Sequence, residues 1–216
     1  KFLIGEDCIE NWRDYIDVIA GAISDNGGRS CINASAVVVP RYAAEIADAL
    51  AQKIGPFAPT RADDPNARLS GFANLKMADF IDAQIEDGLK TPGAVDVTAK
   101  YRNGPRKVEF EGGIYLRPTI VQCDSFAHPL ANKEFLCPYA SVVTCPQSEM
   151  LEKIGYTLAA SVITKDPQFI QAVTDFAEID RLNIGPVSTM KISWDQPHEG
   201  NMFEFLWKRR SIERAW

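Results

Sequence analysis

Asp25-Asn26-Gly27-Gly28-Arg29-Ser30-Cys31-Ile32-Asn33-Ala34-Ser35 runs directly into Ala36-Val37-Val38-Val39 and Pro40. The β-branched run is short and apolar at every position, the pattern of a strand covered on both faces. Upstream, residues 10–24 carry Trp12, Ile16, Ile19 and Ile23 at three- and four-residue steps, one face of a helix. Asn26-Gly27-Gly28 stops that helix, because glycine takes the left-handed cap conformation at no steric cost. Helix, glycine stop and buried strand together predict an α/β layer. Cys31 lies between stop and strand, where two readings are open. It is a nucleophile held at a tight turn, or a small residue buried near a loop.

The same alternation continues outward. Ala43 to Ile54 reads as a helix ended by Gly55-Pro56, and Leu75 to Leu89 as a second, with Met77, Phe80, Ile81 and Ile85 on its apolar side. Val95, Val97, Ala99 and Tyr101 then alternate with polar residues up to Asn103-Gly104. Val108 and Phe110 alternate beyond it, which predicts a hairpin across Asn103-Gly104. Gly112-Gly113 reads as a turn. Ile114 to Val121, Ala140 to Thr144 and Ala159 to Thr164 are strand-like, and Leu182-Asn183-Ile184 leads into a last strand. Helices start near Ser148-Glu149 and at Asp166-Pro167, an N-cap and first-turn pair. The expected fold is therefore an open, twisted, mostly parallel sheet flanked by helices. No repeat or linker divides residues 1–216, so one domain is expected.

Composition narrows the function. The 216 residues are 46% hydrophobic and carry a formal net charge of −6, which argues against nucleic acid as partner. The one basic cluster, Lys208-Arg209-Arg210 with Arg214, is short and interrupted by apolar residues, and reads as solvated charge. No apolar run reaches membrane-spanning length, and no signal-peptide core precedes Glu6-Asp7. Five cysteines at 8, 31, 123, 137 and 145, and only two histidines, fit neither a disulfide framework nor a zinc site. A reducing, cytoplasmic setting is expected.

Free cysteines are usually buried, and Cys8, Cys123 and Cys145 sit in apolar stretches and read as packing residues. Cys31 has a different context. A turn after two glycines exposes a side chain and its backbone N–H together, which suits a nucleophile whose own amide stabilises an oxyanion. His128, in Phe126-Ala127-His128-Pro129, and His198, after Pro197, have no local feature of a catalytic base. No glycine-rich phosphate cradle occurs in the chain.

Four segments, in order, resemble the catalytic domain of the aldehyde dehydrogenase superfamily. Asn26-Gly27-Gly28-Arg29-Ser30-Cys31 resembles its Asn-x-Gly-Gln-x-Cys nucleophile motif, and Arg117-Pro118-Thr119-Ile120 its Pro-Thr-Ile/Val strand. Lys133-Glu134-Phe135-Leu136-Cys137-Pro138 resembles its Glu-Glu-Ile-Phe-Gly-Pro segment. Ala159 to Thr164 with Lys165-Asp166 resembles the strand before its late helix.

The resemblance implies an NAD(P)-dependent oxidation of an aldehyde to a carboxylic acid through a Cys31 thiohemiacetal and thioester. It implies Glu134 as the carboxylate on the cofactor ribose and Leu136 beside the nicotinamide. Ser30, Ile32 and His198 are expected around the aldehyde. Arg29, Leu136 and Cys137 depart from the family's glutamine, phenylalanine and glycine, and Pro197-His198-Glu199-Gly200 stands for its Pro-Phe-Gly-Gly anchor. By the same comparison Lys1 falls on the lysine of the family's Glu-x-Gly-Gly-Lys motif. The general-base glutamate and the N-terminal dinucleotide-binding domain, which holds most of the NAD or NADP, are then expected upstream of this chain. On that reading the isolated chain is inactive, and a dimer or tetramer is expected of the full-length protein. Two alternatives stand beside it: a CoA-acylating or acyl-reducing relative, and a catalytically silent assembly domain.

Overall fold

The computed structural model describes residues 1–61, 63–193 and 213–214. In chain order the elements are β1 (Phe2–Ile4), α1 (Ile16–Ser24), β2 (Ala36–Val39), α2 (Ala43–Ile54) and α3 (Leu75–Leu89). They continue with β3 (Ala94–Asp96), β4 (Lys107–Phe110), β5 (Gly113–Leu116), β6 (Thr119–Cys123), β7 (Tyr139–Thr144), α4 (Met150–Ile154), β8 (Thr157–Ile163), α5 (Pro167–Asp175) and β9 (Ile179–Ile184). Seven strands form one sheet in the order β3-β6-β7-β2-β1-β8-β9, and only β3 runs antiparallel to its neighbour. This is the expected mostly parallel α/β sheet.

The apolar runs are continuous because both faces of the sheet are covered. Phe2 and Ile4 of β1 pack with Val37 and Val39 of β2 against the apolar faces of α1 and α2. Leu3 and Val38, one residue out of phase, pack against Met150, Ile154, Phe169 and Val173 of α4 and α5. Further along, Val121, Cys123, Tyr139 and Val143 meet Ala78, Ile81 and Ile85 of α3. Asp166 caps α5 as its sequence predicts, accepting from the Gln168 N–H at 2.9 Å, with Pro167 opening the helix.

Three expectations need correction. The helical face at residues 10–24 is divided, a 3-10 helix over Ile9–Tyr15 preceding α1. On α3, Met77 and Phe80 are exposed, at 48% and 57%, and the buried positions are Ala78, Ile81, Ile85 and Gly88. The small residues face inward because Gly88 lies against Leu130, where a Cβ would come within 2.4 Å of Leu130 Cγ.

The predicted hairpin across Asn103-Gly104 does not form. β4 pairs instead with β5, Val108 opposite Tyr115, across a turn in which Glu111 and Gly112 both have positive φ, at 47° and 79°. That is the geometry of a tight two-residue hairpin loop. Residues 94–96 pair with β6, and Val97–Lys100 then tighten into a 3-10 helix. A buried polar cluster fixes this path. Arg102 pairs with Asp96 at 2.7 Å and donates to the Thr98 hydroxyl at 3.0 Å and the Pro118 carbonyl at 2.9 Å. Period-two alternation carries no sign of such a cluster.

His128 is 7% exposed and clips the loop after β6 to the end of α3. Its Nδ1 accepts from the Leu130 N–H at 3.1 Å, which fixes the neutral tautomer with Nε2–H donating to the Thr91 carbonyl at 3.1 Å. His128→Ala orphans both backbone groups. It is expected to lower unfolding stability by about 2 kcal/mol in urea denaturation.

Candidate functional site

The four family-like segments converge only in part. Gly28 sits with φ +66° directly on the Cys137–Pro138 peptide, where a Cβ would lie 2.4 Å from both Cys137 C and Pro138 N. The Pro138 carbonyl in turn accepts from the Thr119 N–H at 2.8 Å. The cysteine loop, the Lys133–Pro138 segment and the Arg117–Thr119 segment therefore meet at the leading ends of β2, β7 and β6. The fourth segment, in β8, pairs with β1 on the other side of the sheet centre.

Cys31 is exposed, whereas Cys8, Cys123, Cys137 and Cys145 are buried. Burial pushes the thiols of Cys123 and Cys137 up to about 12, and raises those of Cys8 and Cys145. Ser30 to Asn33 form a turn closed by the Asn33 N–H on the Ser30 carbonyl at 3.0 Å. Of its two central residues, Ile32 is 5% exposed and anchors the turn, and Cys31 faces outward. Among the described residues nothing accepts from the Cys31 N–H.

Asn33, which sequence reasoning did not single out, closes the turn a second time. Its Oδ1 accepts from the Ser30 N–H at 2.7 Å, and its Nδ2 donates to the carbonyls of Ala22 at 2.8 Å and Asp25 at 3.0 Å. The available signal was an asparagine three residues after Ser30, a spacing at which its side chain bonds local backbone.

Arg29 faces away from a role at the thiol. Its guanidinium stacks 3.7 Å over the Phe72 ring and donates to the carbonyls of Ser70 and Gly71 at 3.2 and 2.9 Å. Burial pushes it below the usual arginine value, with Cys137 opposing. Arg29→Gln is expected to cost about 1–2 kcal/mol through the lost stacking and hydrogen bonds. Alkylation of Cys31 should stay within about twofold of the parent rate, read by mass spectrometry.

Glu134 is exposed, Leu136 is 49% exposed, and Ser30 is half-buried. Glu134 lies near Lys1, whose ammonium donates to the Ile154 carbonyl at 2.8 Å and the Thr157 hydroxyl at 2.9 Å. Burial lowers the Lys1 ammonium to about 8, against the opposing charge of Glu134. His198 lies outside the described residues. A cleft of about 270 Å³ opens beside the cysteine loop, between Asp25-Asn26-Gly27 and Ala67 to Ser70. A larger groove of about 680 Å³ runs between α2 and β3 and contains no residue of the four segments. Among the described residues there is no cluster of metal-ligating side chains and no helix long and apolar enough to cross a membrane.

A parallel α/β sheet with an exposed cysteine on a glycine-anchored loop at its leading edge defines the class: a fold that presents a thiol beside a neighbouring strand's loop. Residues 2–202 match the model of the aldehyde dehydrogenase family, and the chain belongs to that family. Among solved structures, it is similar to the glyceraldehyde-3-phosphate dehydrogenase GapN from Methanocaldococcus jannaschii complexed with NADP, at a TM-score of 0.73 and 14% identity. That alignment covers 92% of this chain and 41% of GapN. An indole-3-acetaldehyde dehydrogenase complexed with NAD+ aligns at a TM-score of 0.74 and 18% identity, covering 92% of this chain and 39% of that one. The aldehyde dehydrogenase KauB from Pseudomonas aeruginosa aligns at 0.73 and 18%, with the same coverages. The chain thus spans about two fifths of the length of these structures. A search of curated protein sequences finds no match to it.

Proposed function

We propose that this chain is the nucleophile-bearing part of an NAD(P)-dependent aldehyde dehydrogenase, with Cys31 as the nucleophile. One observation carries the reading: Cys31 is exposed at the outer position of a doubly closed turn, and the other four cysteines are buried. The Cys31 sulfur attacks the aldehyde carbon, a C–S bond forms, and the carbonyl electron pair moves to oxygen. The Cys31 N–H, without a partner among the described residues, donates to that oxygen.

Glu134 and Leu136 expose a carboxylate and an apolar side chain on the segment against which Gly28 packs. That donor set fits a nicotinamide nucleotide, the carboxylate accepting from ribose hydroxyls and the leucine lying beside a flat ring. The chemistry such a group supplies when bound is acceptance of two electrons and a hydrogen from the Cys31 adduct. Ser30, at the half-buried start of the turn, borders the aldehyde side. The remaining parts of the catalytic apparatus, including most of the dinucleotide site, are assigned to sequence beyond this chain, and the assembled enzyme is assigned a dimer or tetramer.

Alkylation tests the reading directly. With iodoacetamide at neutral pH, Cys31 is expected to react at least about tenfold faster than any other cysteine, because the other four are buried from the reagent and burial raises each of their thiols, those of Cys123 and Cys137 to about 12. Equal rates at Cys31 and Cys145 would overturn it.

A further inference from the structure

We propose that Arg117 is the base of an oxyanion site, open at the Asn103-Gly104 bend, that takes the phosphate or carboxylate group of a small molecule. The inference does not rest on the reading of Cys31.

Three arginines are buried where the chain passes from β3 into β4 and from β5 into β6, and two of them have acids. Arg106, 5% exposed, pairs with Asp82 at 2.8 Å, Glu86 at 3.0 Å and Asp96 at 3.4 Å. Arg102 pairs with Asp96 at 2.7 Å, and its side chain is 6% exposed. Arg117 is equally buried, at 5%, yet among the described residues no carboxylate lies within ion-pairing distance of it. Its partners are neutral: Nε donates to the Phe57 carbonyl at 3.2 Å, and Nη1 to the Asn103 carbonyl. Buried charges are ordinarily paired, because neutral partners do not offset the cost of leaving water.

Arg102 deepens the imbalance. Its Nη1 donates at 2.9 Å to the carbonyl of Pro118, the residue after Arg117. Arg117 Nη1 donates in return to the carbonyl of Asn103, the residue after Arg102. These crossed bonds bring the two guanidinium groups together. Burial first, and then Arg102, push Arg117 below the usual arginine value. The acid on Arg102, Asp96, is shared with Arg106. Donors are also left over. Arg102 Nε is buried without an acceptor, and neither Arg117 Nη2 nor the Gly104 N–H has one among the described residues.

Gly104 supplies the opening. Its φ is +104°, and a Cβ there would meet nothing within 4 Å except Arg117 Nη1 at 3.8 Å. Asn103, Gly104 and Pro105 are exposed around it. An oxyanion entering at this bend accepts from Arg117 and brings the negative charge that the two guanidinium groups lack.

Inorganic phosphate and acetate are the probes, titrated into the 216-residue chain against chloride at matched ionic strength. NMR signals of the arginine Nε–H groups and backbone amides report binding. The Arg102 and Arg117 Nε–H and Gly104 N–H signals are expected to shift saturably with one dissociation constant, at about 1–10 mM for so small a ligand. Arg117→Gln is expected to weaken binding at least about tenfold, the scale of a lost charge-assisted hydrogen bond. Arg117→Lys restores the charge and should bind at least about threefold more tightly than Arg117→Gln. An unmoved Arg106 Nε–H signal shows that each variant keeps the fold. A response to phosphate alone, or to acetate alone, supports the site and names its ligand class. No saturable shift at these three groups below about 50 mM overturns the proposal. So do equal affinities in the parent and Arg117→Gln, or shifts of the same size at exposed lysines and arginines, which would mean an adventitious ion only.

Discussion

Cys31→Ser is expected to abolish aldehyde oxidation in a protein that joins this chain to its dinucleotide-binding part, lowering kcat by about 10³-fold or more. A serine hydroxyl in this turn keeps the backbone N–H, the turn hydrogen bonds and the packing of Ile32, so the loss reports on sulfur alone. No other cysteine can substitute. Cys137, across the Gly28 contact, is buried and raised to about 12, and Cys123 is buried beside His128. Thermal unfolding of the variant should match the parent within a few degrees, since an exposed side chain changes by one atom. Steady-state turnover with a nicotinamide cofactor, followed by absorbance of the reduced form, measures the effect. Turnover within tenfold of the parent would exclude Cys31 as the nucleophile.

Gly28→Ala should be the most damaging small substitution near the site, costing about 2–5 kcal/mol of unfolding free energy. Two independent penalties add. A φ of +66° is strained for any residue with a Cβ, by about 1–2 kcal/mol. The Cβ would also lie 2.4 Å from backbone atoms of Cys137 and Pro138, and backbone cannot rotate away as a side-chain tip can. Overpacking of that kind adds about 1–3 kcal/mol. The Pro138 carbonyl is also the acceptor for Thr119, so the displacement passes into the start of β6. Urea denaturation measures the loss, and the selective alkylation of Cys31 should disappear with it. A stability change under 1 kcal/mol would mean that the Gly28 contact yields.

Much of this was legible in the sequence because the sheet has both faces covered. The runs of small and apolar residues at Ala36–Val39, Tyr139–Thr144 and Thr157–Ile163 carry no charge and are almost wholly buried, and Asp166-Pro167 and Gly55-Pro56 mark helix ends by chemistry that acts within one turn. β1 was missed because Phe2–Ile4 is three residues long, too short to show a period. Its place in the middle of the sheet comes from parallel partners 35 or more positions away, Phe2 opposite Val37 and Ser161. The hairpin was misplaced for a related reason: the alternation at residues 95–101 is real, but the Arg102–Asp96–Thr98 cluster bends the chain out of strand geometry.

The sequence by itself determined the α/β class, the order of most elements and the choice of Cys31 as the cysteine in an unusual setting. These depend on periodicity and on the local conformational freedom of glycine, which act over a few residues. Only the tertiary structure decided that Gly28 rests on Cys137–Pro138, that Arg29 stacks on Phe72 rather than facing the thiol, and that Asn33 locks the turn to α1. Each is a contact whose energy depends on atoms brought together by the fold. Steric exclusion at 2.4 Å and hydrogen bonds at 2.7–3.0 Å act only at short range, so the spacing of residues along the chain does not reveal them.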